Sequence, residues 1–223
     1  MALFLKLVNL FLKQVKNFLE SKSTDQIARD LLGKRIIYHH NGKIVSSFIV
    51  ETEAYMGVID RAAHSYQGLK TKRSSALFRR PGTIYIFTIW GRNLLNFITQ
   101  RKGIPEGVLI RAVEPELGLD IMERNRHQKG FNITNGPGKL TEAMGIDLKL
   151  NLKMLNQSNL SLDLIHCKRP KSIKATSRIG VPNKGKWTDA KLRYIVLNNP
   201  YVSQMKKRDM DLNQYGWKSG GIK

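Results

Sequence analysis

Glu51, Glu53 and Tyr55 stand at every second position where the apolar run Ile49-Val50 ends. In a strand, alternate side chains share a face, so the two carboxylates and the phenol point one way and Val50, Thr52 and Ala54 the other. Acids are seldom buried without a partner, so carboxylates leaving a buried strand in a basic chain mark a candidate site. The competing reading is a pair of structural acids answered by surface lysines. Arg111 bears on the choice. It is the single charge in the apolar run 107–113, and a carboxylate is its natural partner. Tyr85, Phe87 and Trp90 add an aromatic cluster bounded by glycines, although aromatics in a strand are ordinarily core residues. An acid, an arginine, stacking aromatics and basic loops together are what excision of a base from DNA requires. The base must leave the helix, stack on aromatics, and have its sugar attacked by an activated water.

Local patterns indicate the elements that would position these residues. Ser23 or Thr24 caps a helix through Ile27, Ala28, Leu31 and Leu32, which Gly33 stops. Residues 35–40 and 43–50 are β-prone and flank Asn41-Gly42, the strongest short-range hairpin signal. The second of these strands delivers Glu51 and Glu53 to its end. Residues 83–90 predict a strand closing at Gly91, residues 107–113 a third strand, and residues 118–126 a helix. If the 83–90 strand is unbroken, Phe87 and Trp90 point to opposite faces. The turn-rich stretch 135–139 opens a short helix; it is either an ordinary turn or a phosphate contact through backbone N–H groups. Residues 149–166 are weakly patterned, and 177–181 and 192–196 flank a basic Gly/Pro loop in which Trp187 is expected to anchor the core. This order predicts an α+β fold: a single domain around a curved, largely antiparallel or mixed sheet with flanking helices.

At the N-terminus, Leu3, Phe4, Leu7, Phe11, Val15, Phe18 and Leu19 recur at three- and four-residue steps opposite Lys6, Asn9, Lys13, Lys16 and Asn17. That spacing predicts an amphipathic helix. Lys6 and Asn9 interrupt the apolar stretch and no small-residue cleavage site follows, so it does not read as a signal peptide; it is also too short and charged to span a membrane. Docking on the domain or on a partner is the expected role. The chain thus divides into an extension, 1–16, and a domain, 17–223.

In 223 residues, 41% hydrophobic, Lys and Arg outnumber Asp and Glu by 38 to 17. A net charge of +21 points to a polyanionic partner, nucleic acid before an anionic membrane. The lone Cys167 excludes an internal disulfide and a cysteine-rich zinc site, and five scattered histidines show no HExxH-type spacing. No metal and no other cofactor is expected. Lys72, Arg73 and Lys139 are candidate phosphate contacts. Without a signal peptide, a monomer in the cytoplasm, with the chromosome, is the expected setting.

Six segments occur in order: Ile27-Ala28-Arg29-Asp30-Leu31-Leu32-Gly33-Lys34, Val50-Glu51-Thr52-Glu53-Ala54-Tyr55, Asp60-Arg61-Ala62-Ala63-His64, Arg80-Pro81-Gly82-Thr83-Ile84-Tyr85, Leu109-Ile110-Arg111-Ala112-Val113-Glu114-Pro115 and Asn135-Gly136-Pro137-Gly138-Lys139. Together they resemble the 3-methyladenine (alkyladenine) DNA glycosylase family, the single-domain type, from about residue 17 to about residue 203. The resemblance implies a fold like the formyltransferase C-terminal domain. It also implies hydrolysis of the N-glycosidic bond of alkylated purines, such as 3-methyladenine and 7-methylpurines, flipped from double-stranded DNA in base excision repair. By position, Glu53 matches the family's general base and Arg111 the arginine that helps hold the nucleophilic water. Tyr55, His64 and Asn96 match base-pocket residues, Phe87 falls where a stacking tyrosine is common, and Trp90 falls at the tyrosine wedge that enters the duplex. The chain departs from the pattern in lacking both of those phenols and in having one residue fewer between Gly91 and Asn96. No lysine in these segments stands out as a Schiff-base nucleophile, so strand cleavage is not expected. The alternative is a non-enzymatic basic DNA- or RNA-binding protein on the same fold, which would need none of Glu53, Tyr55, His64 and Arg111.

Overall fold

The strand that carries the two glutamates is the hub of the sheet. A computed structural model describes residues 13–40 and 42–220. Among these, the strands are β1 (Arg35–His40), β2 (Lys43–Tyr55), β3 (Ile84–Ile89), β4 (Arg92–Thr99), β5 (Glu106–Leu117), β6 (Leu160–Asp163), β7 (Ile173–Thr176) and β8 (Arg193–Val196). They form one sheet in the order β3-β4-β5-β2-β1-β6, with β8 beside β2 and β7 beside β8. Every pairing is antiparallel. The expected hairpin forms, running from Arg35↔Phe48 to His40↔Lys43; Asn41 of its turn lies outside the described residues. β2 continues past residue 50 to Tyr55 and changes partner along one edge, from β1 up to Phe48 to β8 at Glu51–Glu53. Its other edge follows β5. Such a change of neighbour, added to the natural twist of long strands, curls the sheet into a half-barrel.

Two irregularities sit where they matter. Between Ile49↔Val113 and Thr52↔Ile110 only Glu51↔Ala112 is paired, so Val50 lacks an opposite number on β5 and Arg111 lacks one on β2. One extra residue on each strand restores the register. Bulges re-aim side chains and increase local twist, and here they turn Arg111 toward both glutamates.

Helices cover the sheet: α1 (13–20), α2 (Thr24–Asp30), α3 (Leu119–Arg126), α4 (Pro137–Met144) and α5 (Lys186–Asp189). On the face of β2 opposite the glutamates, the Thr52 hydroxyl donates to the Ala28 carbonyl of α2 (2.7 Å). Ile27, Ala28, Leu140, Ala143 and Met144 from α2 and α4 join Phe48, Val50, Ile110 and Ala112 in one core. Gly138, in the first turn of α4, is required by packing, because a Cβ there would lie 2.7 Å from Cδ of Arg92.

Several expectations need correction. Residues 92–99 form a full strand, β4, where the sequence reading stopped at Gly91; Asn93 and Asn96 interrupt the apolar pattern that would have revealed it. Residues 177–181 are not an element: the strand lies just before them, at β7, and they cross the end of β2 as a loop. Trp187 is half-buried rather than a core anchor, and Trp217 takes the interior place, its indole N–H on Glu114 (2.7 Å). Among the described residues no helix is long and apolar enough to cross a membrane.

The amphipathic positions Leu3 to Phe11 lie outside the described residues, but Val15 and Leu19 of α1 are buried in the same core as β2. Leu19 is fully buried and its carbonyl accepts the Gln100 N–H (3.1 Å). Leu19→Ala should therefore cost about 2–5 kcal/mol, read as a lower urea midpoint at unchanged slope. A helix merely appended to the domain would lose less than about 0.5 kcal/mol.

Candidate active site

The two glutamates of β2 share a face, as their spacing requires, but their surroundings set them apart. Both are completely buried, and their partners are arginines rather than surface lysines. Glu51 Oε1 accepts from Arg111 Nε (2.9 Å), Arg193 Nε (2.6 Å) and Ser203 Oγ (2.8 Å), and its Oε2 accepts the Ser203 N–H (2.7 Å). Its hydrogen-bonding capacity is used up by structure. Glu53 holds Arg111 Nη1 at 3.2 Å and the Ile179 N–H at 2.8 Å on Oε1, and only the Tyr55 hydroxyl, at 3.0 Å, on Oε2. Burial pushes the Glu53 carboxyl above the ordinary range, outweighing the pull of Arg111, the Ile179 amide and Tyr55; the charge of Glu51 adds to the rise. Burial and the neighbouring Glu53 likewise hold the Tyr55 phenol well above its usual value, so it stays a donor. Burial alone would lower Arg111, but the charges of Glu53 and Glu51 prevail and raise it.

Above this couple opens a cavity of about 340 Å³ whose floor includes Arg111 and Tyr55. Glu53 itself does not line it; its ligands do. His64, Tyr85 and Phe87 form one wall. The His64 ring stands edge-on to Phe87 at 4.7 Å between centroids, and its Nδ1 is 2.8 Å from the Tyr85 hydroxyl. Burial, helped by Arg73, lowers His64 to about 4, so the imidazole is neutral at physiological pH; burial raises Tyr85 to about 12. Asn96 sits opposite Tyr85 in the β3–β4 ladder, and its Nδ2 donates to the carbonyls of Tyr85 (3.3 Å) and Leu94 (3.2 Å). Ile179, Gly180 and Val181 of the loop after β7 close the opposite wall. All the residues expected in the base pocket, Tyr55, His64, Phe87 and Asn96, therefore meet at one cavity.

Trp90 and Gly91 are the two-residue turn between β3 and β4, both with positive φ (50° and 72°). This is the backbone of a tight hairpin whose twist matches its strands. It keeps Tyr85↔Asn96 in register. The strand ends before Trp90, so the opposite-face expectation does not apply: Phe87 and Trp90 both border the cavity, and Trp90 is 93% exposed at its rim. Of the expected phosphate contacts, Lys72 is exposed, while the Arg73 guanidinium lies over the Phe87 ring at 4.9 Å. Lys139 is half-buried, with Nζ on the Asn135 side-chain carbonyl at 2.7 Å.

Three contributors escaped the sequence reading. Arg193 and Ser203 hold Glu51; Arg178, buried behind Tyr55, pairs with Asp60. Arg193 carries the same signal that revealed Arg111, a lone charge in an apolar strand. Ser203 binds through its backbone as well as its hydroxyl and leaves no signal. Among the described residues no three His, Cys, Asp or Glu side chains converge to hold a metal ion.

An acid and an arginine thus lie beneath an aromatic cavity, at the end of a curled antiparallel sheet in a strongly basic chain. The model of the methylpurine-DNA glycosylase family matches residues 17–200, and the chain belongs to that family. A Staphylococcus saprophyticus protein provisionally named a 3-methyladenine DNA glycosylase is 50% identical over 197 residues, 88% of this chain and 97% of its own. A Staphylococcus aureus protein of the same provisional name is 49% identical over 198 residues, 89% of this chain and 98% of its own.

Glu51→Gln should be strongly destabilising, because it leaves the buried Arg193 guanidinium without a counter-charge and Arg111 with Glu53 alone. A loss of about 3–5 kcal/mol is expected, measured by urea denaturation of wild type and variant. Stability unchanged within about 0.5 kcal/mol would show that the Arg111–Glu51–Arg193 cluster does not hold the sheet together.

Proposed function

We propose that the protein is a monofunctional DNA glycosylase that hydrolyses the N-glycosidic bond of alkylated purines, 3-methyladenine and 7-methylpurines, after flipping them from duplex DNA. The observation that carries this reading is the coupling of Arg111, on the cavity floor, to Glu53, a carboxylate whose raised pKa makes it a better base.

Alkylation at N3 or N7 leaves the purine cationic and already a good leaving group. Departure therefore needs little acid catalysis; it needs a pocket that favours a cation and a base for the water. The faces of Tyr55 and Phe87 supply the first, at roughly 0.5–2 kcal/mol per contact depending on desolvation. Neutral His64 keeps one further positive charge out of the pocket. As the C1′–N9 bond breaks, its electron pair neutralises the purine and the sugar becomes oxocarbenium-like. A water held by Arg111 adds to C1′ and gives its proton to Glu53, leaving free base and an abasic sugar. Glu53 Oε2, with the Tyr55 hydroxyl as its one donor, has room to accept that proton. Trp90, at the exposed hairpin tip, fills the stack vacated by the base. The +21 charge supplies sequence-independent affinity for the phosphate backbone. One chain assembles the whole site, so a monomer suffices, and work on chromosomal DNA would place it in the cytoplasm of a bacterial cell.

One observation favours the alternative of a non-catalytic DNA-binding protein: Glu53 is completely buried and already has three donors. Glu53→Gln separates the two. Single-turnover release of 3-methyladenine from alkylated duplex should fall by roughly 10²- to 10⁴-fold while binding to the same DNA persists. Retention of activity within about tenfold, or ~1.4 kcal/mol of barrier, would overturn the role of Glu53 as base. Trp90→Ala should leave the melting temperature near wild type, given its exposure, and weaken lesion binding by roughly 1–3 kcal/mol. The readout is 2-aminopurine fluorescence beside the lesion. Normal flipping by a folded variant would remove the wedge role.

A further inference from the structure

Asp60 and Arg178, far apart in the chain, meet in the interior with both side chains fully buried. Arg178 Nη1 donates to Asp60 Oδ2 (2.5 Å) and Nη2 to Oδ1 (2.9 Å). The same guanidinium donates to the carbonyls of Ala54 (3.0 Å) and Trp187 (3.3 Å), and lies over the Tyr55 ring at 4.7 Å. Asp60 in turn accepts the N–H groups of Met56 (3.1 Å) and Ala62 (2.9 Å). Neither side chain lines the base cavity. A buried ion pair is weak evidence for stability in itself, because desolvation offsets most of its Coulombic gain. What the pair joins is more telling. Asp60 organises the turn that leads into Ala62, Ala63 and His64, one side of the cavity; Arg178 precedes Ile179, Gly180 and Val181, the other side.

We propose that Asp60 and Arg178 are positioning residues of the reaction: their fork ties the two walls of the base cavity together and seats the Ile179 amide on the Glu53 carboxylate. This rests on the reading of Glu53 as the base. Glu53 is faced by Glu51 and Tyr55 from β2, by Arg111 from β5, and by Arg193 opposite it on β8, whose Nε is engaged by Glu51. Arg178 lies behind Tyr55, with Asp60 beyond it. Of the three donors to Glu53, two belong to the sheet and stay in place without the pair. Only the Ile179 N–H comes from a loop, and that loop is fastened through the residue just before it.

The sign of the effect follows. Losing a hydrogen bond to the ionised carboxylate moves the Glu53 pKa further up, so the acid limb of a rate that needs ionised Glu53 moves to higher pH. The experiment is single-turnover release of 3-methyladenine from alkylated duplex, at saturating enzyme across pH, for wild type, Asp60→Asn and Arg178→Lys, with a thermal melt of each. The acid limb should rise by roughly one pH unit in Asp60→Asn, which is about a tenfold slower rate on that limb. Arg178→Lys, which keeps the charge without the fork, should fall between. Should Asp60→Asn fail to fold, the double variant Asp60→Asn/Arg178→Gln removes both charges together and carries the same test. Folded variants that melt earlier but keep the wild-type acid limb would make the pair purely structural and overturn the proposal. A wild-type profile whose acid limb survives in Glu53→Gln would instead sink the catalytic-base reading, and the proposal with it.

Discussion

Everything in the site leans on one buried carboxylate, Glu51. Glu51 gathers Arg111 from β5, Arg193 from β8 and Ser203 beyond it, so three segments distant in the chain converge on one point of β2. A carboxylate withdrawn from water without partners would cost several kcal/mol; with two guanidinium groups and two further donors its charge is answered. Glu51 thereby fixes the guanidinium of Arg111, and a fixed Arg111 reaches Glu53 with Nη1. The two glutamates, two residues apart, differ in their partners: Glu51 is held by two arginines and Ser203, Glu53 by one arginine, a phenol and a loop amide.

The environment of the cavity is tuned in the same sense throughout. Burial raises the Glu53 carboxyl, keeps the phenols of Tyr55 and Tyr85 protonated and keeps His64 neutral. The walls of the cavity are aromatic, with Arg111 on its floor and the Glu53 carboxylate behind that floor. Lys184 also lines the cavity, and the Arg73 guanidinium lies over the Phe87 ring.

How much of this could be read from the sequence depended on whether the signal was local. Alternation placed Glu51, Glu53 and Tyr55 on one face, Asn41-Gly42 marked the hairpin, and a lone charge in an apolar run marked Arg111; each is a pattern within a dozen residues. His64 and Asn96 came from the family resemblance rather than from spacing, and Phe87 came from the aromatic cluster, with its place in the pocket from the resemblance. Arg178 and Ser203 were not legible, since their roles depend on contacts across more than a hundred residues that no local pattern encodes. β4 was missed because its asparagines disguise a strand, one of them because it serves the cavity. The opposite-face reading of Phe87 and Trp90 failed for a backbone reason: the chain turns at Trp90, and parity applies only within an unbroken strand.

The two bulges in the central strand pair carry a consequence for how this protein can change over generations. Val50 and Arg111 each stand without an opposite number, and the strands are in step on both sides only because both extra residues are present. Loss of a single residue from either strand would shift the ladder by one, and a one-residue slip sends side chains to the opposite face. Glutamates would then point toward α2 and apolar residues toward the cavity. Insertions and deletions here are tolerable only as matched pairs, so the length of these two strands should be nearly frozen in descendants of this chain.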